Sequence, residues 1–285
     1  MNKFIGGFFM KSEEIIAALA VKYGGDWEDI MCALTNRSTL KKEVGEQGNC
    51  YYGDVELEPY LDIINRSNYK YITILSDDYP QALKQQYMPP FVLFYYGDIS
   101  LLSEINHNVA VVGSRECTDY GARMTREVVS EVAKEYTIVS GMARGIDAIA
   151  HQTAIDVGGK TIAVLGSGID YCYPYSNRKL YAEIKKNHLV VSEYPGTIIP
   201  EPTSFPRRNR IIAMISKGLI VTEAYAKSGT LTTVMFALQC SRPILCVPHE
   251  AGKGSECNRL ISDGAYPIED GKMALDILNS ERHIF

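Results

Sequence analysis

Residues 109–115 read Val-Ala-Val-Val-Gly-Ser-Arg, a short apolar run that ends directly in a glycine, a serine and an arginine. Similar runs recur along the chain, separated by segments long enough for a helix. Short runs that are apolar at every position are typical of strands buried on both faces of a sheet. The sequence therefore predicts an α/β fold with a mostly parallel sheet covered by helices on both sides. The predicted strands are residues 109–112, 137–139, 161–165, 189–191, 219–221 and 243–247, and the predicted helices are residues 118–136, 145–157, 177–187, 207–216 and 229–240.

Four loops of this predicted sheet are rich in glycine and hydroxyl residues. The carboxyl ends of parallel strands share one edge, and ligands bind where the loops leave it. Glycine lets backbone N–H groups approach an anion closely, and the next helix N-terminus adds unpaired N–H groups. Each loop alone also fits a plain tight turn, but together, with two arginines among them, they favour a phosphate site. The loops are residues 113–115, 140–147, 166–170 and 227–233.

A basic cluster, Ser-Phe-Pro-Arg-Arg-Asn-Arg, occupies residues 204–210. Arginine suits phosphate because its planar guanidinium donates two parallel charge-assisted hydrogen bonds, and a neighbouring Phe ring can stack on a base. Such a cluster alone is more commonly a solvated helix start. Beside the glycine loops it predicts one wall of an anion pocket. Because positions on a helix start point in different directions, we expect only two of Arg207, Arg208 and Arg210 to reach the ligand.

Several catalytic and cofactor motifs are absent from the sequence. Neither the segment at Gly113 nor that at Gly166 completes GxGxxG, and no GxxxxGK[ST] or GxSxG occurs. The sequence therefore predicts no dinucleotide cofactor, no P-loop ATPase and no hydrolase nucleophile. The five histidines and seven cysteines show neither metal spacing nor a CxxC pair. We expect no catalytic residues, no metal, no cofactor and reduced thiols.

The first 70 residues have a different character. Apolar positions between residues 12 and 34 recur at helical spacing, broken by Gly24-Gly25, and a third helix is predicted at about residues 54–66. The glycine pair fits either a helix-hairpin-helix turn on DNA phosphates or a plain connection between helices. The net charge of −5 arises in the first 107 residues, where 9 Lys and Arg stand against 15 Asp and Glu; from Asn108 onward 20 stand against 19. A local basic site in the second part is therefore compatible with the acidic total.

The chain has 285 residues, of which 46% are hydrophobic and 22% charged. This is ordinary globular composition, sufficient for two domains. The apolar run at residues 4–10 is too short to span a bilayer and lacks a cleavage pattern. We expect a cytoplasmic protein without a membrane segment.

Taken together, these motifs resemble one family, the DNA-processing protein A (DprA, also called Smf) family of bacterial transformation proteins. The resemblance covers residues 71–268 in order and with compatible spacing. Its matching segments are residues 71–102, 112–115, 140–151, 159–170 with Tyr173-Pro174 and Asn177, 192–195, 205–212, 223–224 with 228–230, and 258–261 with 264–265.

The resemblance implies an extended Rossmann-like domain over residues 71–285, with residues 71–107 as its N-terminal extension, preceded by a small helical (SAM-like) domain over residues 1–70. It also implies sequence-independent binding and protection of single-stranded DNA in natural transformation and recombination. The family further implies a homodimer that helps to load the recombinase RecA. Carried over residue by residue, the DNA pocket falls on Gly113, Ser114, Arg115, Phe205, Arg207, Asn209 and Arg210, and on Ser140, Gly141, Arg144, Ser228 and Gly229.

The chain departs from the family pattern at three points. Members often carry a basic residue just after the Tyr-Pro pair, where this chain has Tyr175; we expect that contact to move to Arg178 or Lys179, or to become base stacking by Tyr175. Members usually carry Val-Pro-Gly after a later strand, where this chain has Val-Pro-His at residues 247–249. Some members append a winged helix, and we expect none here.

An enzyme is the main alternative. Nucleoside-monophosphate phosphoribohydrolases that resemble the cytokinin-activating family use a Pro-Gly-Gly-x-Gly-Thr-x-x-Glu loop. Here Ala-Lys-Ser at residues 226–228 replaces Pro-Gly-Gly, and Thr233 replaces the glutamate. A hydroxyl cannot supply the carboxylate's charge to an oxocarbenium-like transition state, so binding is favoured over catalysis. A small-nucleotide sensor using the same loops stays an open alternative.

Overall fold

The computed structural model describes residues 3–5, 8–35, 51–52 and 55–280. The α-helices in these ranges are α1 (Ser12–Lys22), α2 (Trp27–Thr35), α3 (Glu58–Arg66), α4 (Gln81–Lys84), α5 (Ser100–Ser103), α6 (Asp119–Val132), α7 (Ile146–Asp156), α8 (Arg178–Asn187), α9 (Ser204–Met214), α10 (Gly229–Gln239), α11 (Glu256–Ser262) and α12 (Gly271–Ser280). The strands are β1 (Lys3–Ile5), β2 (Phe8–Met10), β3 (Tyr51–Tyr52), β4 (Val55–Glu56), β5 (Lys70–Thr73), β6 (Val92–Gly97), β7 (Asn108–Gly113), β8 (Thr137–Ser140), β9 (Thr161–Gly168), β10 (Leu189–Tyr194), β11 (Gly218–Glu223), β12 (Ile244–Cys246) and β13 (Tyr266–Pro267).

Nine strands form one sheet in the order β13-β12-β11-β7-β8-β9-β10-β6-β5. Neighbours from β13 to β10 are parallel, and β6 is antiparallel to both β10 and β5. The predicted mostly parallel α/β sheet is therefore confirmed, as are the five helices predicted between its strands. The largest shift at a helix start is in α9, which begins at Ser204 rather than at residue 207. Pro206 is accommodated because the first turn of a helix does not need its N–H group.

Helices cover both faces of the sheet. On one face, α9 and α10 bury Ile211, Ile212 and Val234 against apolar side chains of the central strands. On the other face, α6, α7 and α12 pack against the same strands through a second apolar cluster that includes Val128 and Leu278. This double coverage explains why each central strand contains an apolar run that is buried on both faces of the sheet.

The N-terminal helices pack on the sheet rather than standing apart from it. Ile16 and Ile30 share an apolar cluster with Phe94 of β6. Gly25 has φ +78°, and a Cβ there would meet the backbone carbonyl of Glu193, so the turn between α1 and α2 lies against the protein. This contact favours a plain connection over a DNA-binding turn. The predicted helices in this part are confirmed, whereas the domain boundary near residue 70 stays a prediction.

The sheet order reverses at β7. The chain continues from β7 to β8 on one side, and β11 occupies the other side. The loops after β7 and β11 therefore lead away from each other and leave a crevice at the carboxyl edge, which is the usual ligand position in open α/β sheets.

Candidate functional site

A cleft of about 830 Å³ opens at this crevice, and we call it the strand-end cleft. A smaller cavity of about 390 Å³ adjoins it and shares Arg115, Arg144, Phe205 and Arg208 with it. The loops after β7, β8 and β11 and the first turns of α9 and α10 supply most of the walls. The predicted site residues that line one or both cavities are Gly113, Ser114, Arg115, Gly141, Arg144, Phe205, Asn209, Ser228 and Gly229.

The loop after β7 forms a tight wall of the cleft. A Cβ on Gly113 would lie 2.6 Å from Cγ1 of Ile146, so this position requires glycine for packing against α7. The Ser114 hydroxyl accepts a hydrogen bond from the N–H of Glu116 at 3.2 Å, which shapes the turn. Beyond this turn Arg115 is exposed, and its guanidinium lies 5.2 Å from the centroid of the Phe205 ring.

The floor of the cleft contains a buried arginine. Arg208 Nη1 donates to the carbonyl of Gly141 at 2.6 Å and also to the carbonyl of Val164. A Cβ on Gly141 would lie 2.6 Å from Cζ of Arg208, so the glycine makes room for the guanidinium. Burial lowers the pKa of Arg208 to about 10, which still leaves it charged at neutral pH. Arg208 therefore fixes the loop after β8 and adds positive charge beneath the cleft.

A carboxylate partly balances this charge. Asp147 Oδ2 accepts hydrogen bonds from the N–H groups of Gly141 at 3.1 Å and Ala143 at 3.3 Å. Burial raises the pKa of the Asp147 carboxyl, and the positive charge of Arg208 opposes that rise. Asp147 therefore positions the β8 loop, and its largely buried side chain lies at the floor of the cleft.

Two exposed guanidinium groups stand at the cleft wall. Arg115 and Arg144 are exposed, and neither forms an ion pair with any residue in the described ranges. An unpaired arginine fork is available for bidentate hydrogen bonds to an anion. These two side chains are the clearest anion-binding groups of the site.

Aromatic side chains flank the guanidinium groups. The rings of Tyr173 and Phe205 are 5.5 Å apart and tilted by 35°, and Tyr173 is 46% exposed. The residue pair Tyr173-Pro174 is joined by a cis peptide bond. Next to it, Asn177 Nδ2 donates to the carbonyl of Met142 at 2.8 Å, which ties this turn to the loop after β8. The cleft thus combines cations with an exposed ring that could stack on a planar ligand.

The N-terminus of α10 closes the opposite side. Ser228 is the residue before the helix, and its hydroxyl has no hydrogen-bond partner among the described residues. Asn209 Nδ2 donates to the carbonyl of Gly229 at 3.2 Å and its Oδ1 accepts from Arg208 Nε at 3.0 Å, which links α9, the floor and α10. A helix N-terminus presents unpaired N–H groups and partial positive charge, both of which favour an anion.

Arg207 and Arg210 are occupied by internal partners. Arg210 donates to both carboxylate oxygens of Glu193, at 2.6 and 2.8 Å, with side-chain exposures of 2% and 5%. Arg207 Nη1 lies 2.6 Å from Asp26 Oδ2, in the turn before α2, and Nη2 lies 3.7 Å from Glu28. Against the effect of burial, the hydrogen bond from Arg207 lowers the pKa of Asp26. The expectation of phosphate contacts fits neither arginine in this arrangement, because each already neutralises a carboxylate.

Two further predicted residues lie outside both cavities. Ser140 is buried, and its hydroxyl donates to the carbonyl of Val111 at 2.7 Å, so it joins β7 to β8 instead of facing a ligand. Tyr175 is 72% exposed beside the smaller cavity, and the guanidinium of Arg178 lies 4.9 Å from its ring centroid. Tyr175 is therefore open to solvent at the edge of the site.

The structure adds lining residues that the sequence did not single out. Tyr171 and Tyr173 follow the glycine loop after β9, and Tyr225 follows β11. Their position after strand ends was a usable signal, since loops that leave the carboxyl edge build the ligand site. Ile199, Pro200 and Pro202, in the segment before α9, had no such signal.

The described residues carry neither a metal-binding cluster nor a membrane-spanning helix. Within the described ranges, no group of three or more His, Cys, Asp or Glu side chains could hold a metal ion. Six cysteines are free thiols there, and Cys50 lies outside the described residues. None of the helices described is both long and apolar enough to cross a membrane.

Several known proteins are similar to this chain. DNA processing protein DprA of Streptococcus pneumoniae is 38% identical over 248 residues, which cover 84% of this chain and 87% of that protein. Protein Smf of Synechocystis sp. is 38% identical over 80% of this chain, and DNA processing protein DprA of Bacillus subtilis is 40% identical over 62% of it. The chain spans only 58% and 60% of the lengths of these two proteins.

Two solved structures share the fold. DNA processing protein A of Streptococcus pneumoniae superimposes with a TM-score of 0.80 and 34% identity, covering 94% of this chain and 98% of that one. DNA processing protein A of Helicobacter pylori, described as having a unique single-stranded DNA binding mode, gives a TM-score of 0.68 and 31% identity, covering 76% of this chain and 99% of that one.

The family model for DNA recombination-mediator protein A matches residues 70–279, which include all the strands of the main sheet and every residue of the strand-end cleft. The chain belongs to the DNA recombination-mediator protein A family.

Proposed function

We propose that the strand-end cleft binds single-stranded DNA without sequence preference. The observation that carries the proposal is the pair of exposed arginines, Arg115 and Arg144, beside the Tyr173 and Phe205 rings. Phosphate contacts carry no base information, and an aromatic ring stacks on any base. A ligand with an anionic backbone and unpaired bases fits both kinds of group.

The proposed contacts follow from what each residue offers. Arg115 and Arg144 hold phosphates, and the backbone at Gly229 is open to close approach, while Gly113 and Gly141 permit the internal packing that shapes the cleft. The hydroxyls of Ser114 and Ser228 add polar contacts, and Asn209 lines the cleft while its amide joins Arg208 to α10. Phe205 supports Tyr173 in stacking, and Tyr175 stacks at the edge. Ser140, Arg207 and Arg210 are left out because their side chains serve internal contacts.

The wider role rests on the family and its named members. The relatives are DNA processing proteins, and the one from Helicobacter pylori is described as binding single-stranded DNA. We propose that this protein acts likewise in natural transformation and recombination, as a cytoplasmic homodimer that protects incoming single strands and helps to load RecA onto them.

Fluorescence anisotropy with a labelled oligo-dT strand and a duplex of equal length tests the proposal. The single strand should bind more tightly, with strong salt dependence. Arg115→Ala should lower the salt slope for the single strand by about 0.7, the value for one phosphate contact. Arg259→Ala is the matched control because Arg259 is an exposed arginine on α11, away from the cleft, with long ion-pair distances of 3.6 and 3.8 Å to Glu256 and Asp263. Equal affinity for both DNA forms would contradict the proposal.

Binding without catalysis is part of the same proposal. Thr233 lines the cleft at the position where phosphoribohydrolases of similar loop pattern carry a glutamate. A threonine cannot stabilise an oxocarbenium-like transition state by charge. Incubation with nucleoside monophosphates should release no free base, and steady release by the purified chain would favour the enzyme instead.

A further inference from the structure

Helix α8 carries an exposed basic face that starts at the edge of the site. Arg178, Lys179 and Lys186 are exposed, and at about 100° per residue they fall on one side of the helix. Tyr181 and Ile184 are buried on the other side. The acidic residue near this face, Glu183, accepts a hydrogen bond from Asn187 at 2.7 Å. The exposed face of α8 is therefore positive overall.

This face is continuous with the strand-end cleft. Pro174 and Ser176 line the smaller cavity together with Arg115 and Arg144. A short 3₁₀ turn, Tyr175–Asn177, then leads directly into α8. Asn177 fixes this turn by its hydrogen bonds to the carbonyls beside Arg144. A polymer that leaves the cleft past Tyr175 therefore meets α8 next.

The lysines of α8 differ in what they contact. Lys185 Nζ lies 3.5 Å from the Tyr96 ring centroid and 3.5 Å from Asp170 Oδ1, so this lysine belongs to the packing of the helix. Lys179 and Lys186, by contrast, form no ion pair with any residue that the structure describes. They are separated by seven residues, about 10 Å along the axis at 1.5 Å per residue. Their ammonium groups are thus available to an external anion.

Tyr175 offers a second kind of contact at the start of this path. Its ring is 72% exposed, and the Arg178 guanidinium lies 4.9 Å from its centroid. An exposed aromatic ring is the usual stacking platform for an unpaired base, and the adjacent cation favours the neighbouring phosphate.

We propose that single-stranded DNA continues beyond the cleft across Tyr175 and along α8, where Lys179 and Lys186 hold its phosphates. This inference rests on the proposed binding of single-stranded DNA in the cleft. The proposed path over Tyr175, Lys179 and Lys186, the α8 track, lies beyond the reach of a DNA strand that is only long enough to fill the cleft.

Strand length provides the test. Anisotropy titrations compare oligo-dT of about 5 nucleotides, near the lower end of common single-strand site sizes, with oligo-dT of about 20, which exceeds the upper end. In Lys179→Ala/Lys186→Ala, the salt slope for the long strand should fall by about 1.4, because each lost single-strand phosphate contact lowers it by about 0.7. The ratio of the affinity of the unchanged protein to that of this variant, both for the long strand, should then fall roughly sevenfold between about 50 and 200 mM salt. The short strand should bind both proteins equally.

The control removes two lysines elsewhere. Lys84→Ala/Lys272→Ala changes the net charge equally, and both lysines are exposed, on α4 and α12. This variant should match the unchanged protein on both strands, whereas Tyr175→Ala should weaken the long strand by about fivefold or more through lost stacking. An unchanged slope for the long strand, or an equal loss on the short one, would overturn the α8 track. If the unchanged protein binds neither strand, the proposed function itself fails, and the track with it.

Discussion

Replacing Arg210 with methionine is expected to destabilise the fold while leaving the DNA affinity of the folded protein nearly unchanged. Arg210 and Glu193 form a buried pair with two hydrogen bonds and side-chain exposures of 2% and 5%. Removal of the guanidinium leaves a buried carboxylate without its cation. The arginine therefore belongs to the core beneath the cleft, although its neighbours in sequence suggest a DNA contact.

The magnitude follows from this burial. Breaking a buried ion pair by removing one partner costs about 3–5 kcal/mol, because the remaining charge stays desolvated. At about 2–4 °C per kcal/mol for a large domain, the melting temperature should fall by on the order of 10 °C. Arg259→Met is the control: its side chain is 72% exposed and its partners Glu256 and Asp263 lie 3.6 and 3.8 Å away. Such a surface pair contributes only about 0–1 kcal/mol.

Urea unfolding measures the stability, and anisotropy at a temperature where both variants are folded measures the affinity for oligo-dT. A second variant, Arg210→Met/Glu193→Gln, should regain part of the lost stability because it removes the stranded charge. The reasoning is refuted if Arg210→Met retains its stability within about 1 kcal/mol but loses single-strand affinity with a reduced salt slope.

Two further predictions concern the buried His151 and the ion pair between Asp26 and Arg207. Burial, with Arg208 adding to it, lowers the pKa of His151 to about 3. As the pH falls, the unfolded chain therefore protonates His151 before the folded protein does. Above about pH 6.5 this difference costs no stability, and below it the free energy of unfolding declines by up to about 1.4 kcal/mol per pH unit. Urea midpoints of His151→Gln, which cannot take up that proton, should fall less steeply between neutral pH and pH 5 than those of the unchanged protein; parallel curves would contradict this. Asp26→Asn should release Arg207 from its 2.6 Å ion pair and raise the single-strand salt slope by up to about 0.7, whereas Asp62→Asn, in an exposed pair on α3, should not. An unchanged slope in Asp26→Asn would mean that Arg207 does not reach DNA.

The fold was predictable because its signal is local. Each central strand contains a short apolar run, and each is followed by a helix, so both periodicities can be read within a short window. The start of α9 was missed because Pro206 lies inside its first turn. The position of β6 in the sheet could not be predicted in this way. It pairs antiparallel with β10, a strand far along the chain, and no short sequence pattern specifies that pairing.

The site was predictable only in part, for a similar reason. The loops after β7, β8 and β11 were identified from their glycines, and the structure brings them together at one edge. The environments of individual side chains depend on distant partners. Ser140 reaches back to β7, and Tyr173 gains importance because it packs against Phe205, 32 positions away in the numbering. Residue type alone does not indicate such contacts.

The arginines of residues 204–210 show how a motif can be functional without every cation touching the ligand. At about 100° per residue, Arg207, Arg208 and Arg210 point in three different directions from α9. Arg207 pairs with Asp26 in the turn before α2, Arg208 donates to the carbonyls of Gly141 and Val164, and Arg210 pairs with Glu193 of β10.

Helix α9 therefore lines the strand-end cleft with Phe205, Pro206, Arg208, Asn209 and Ile212, and its three arginines anchor it internally. The exposed cations come from the loops after β7 and β8, through Arg115 and Arg144. A rigid aromatic wall with cations on neighbouring loops suits a ligand whose bases stack and whose phosphates lie beside them. The basic cluster thus determines the geometry of the site, and the glycine loops supply the charge that a nucleic acid would meet.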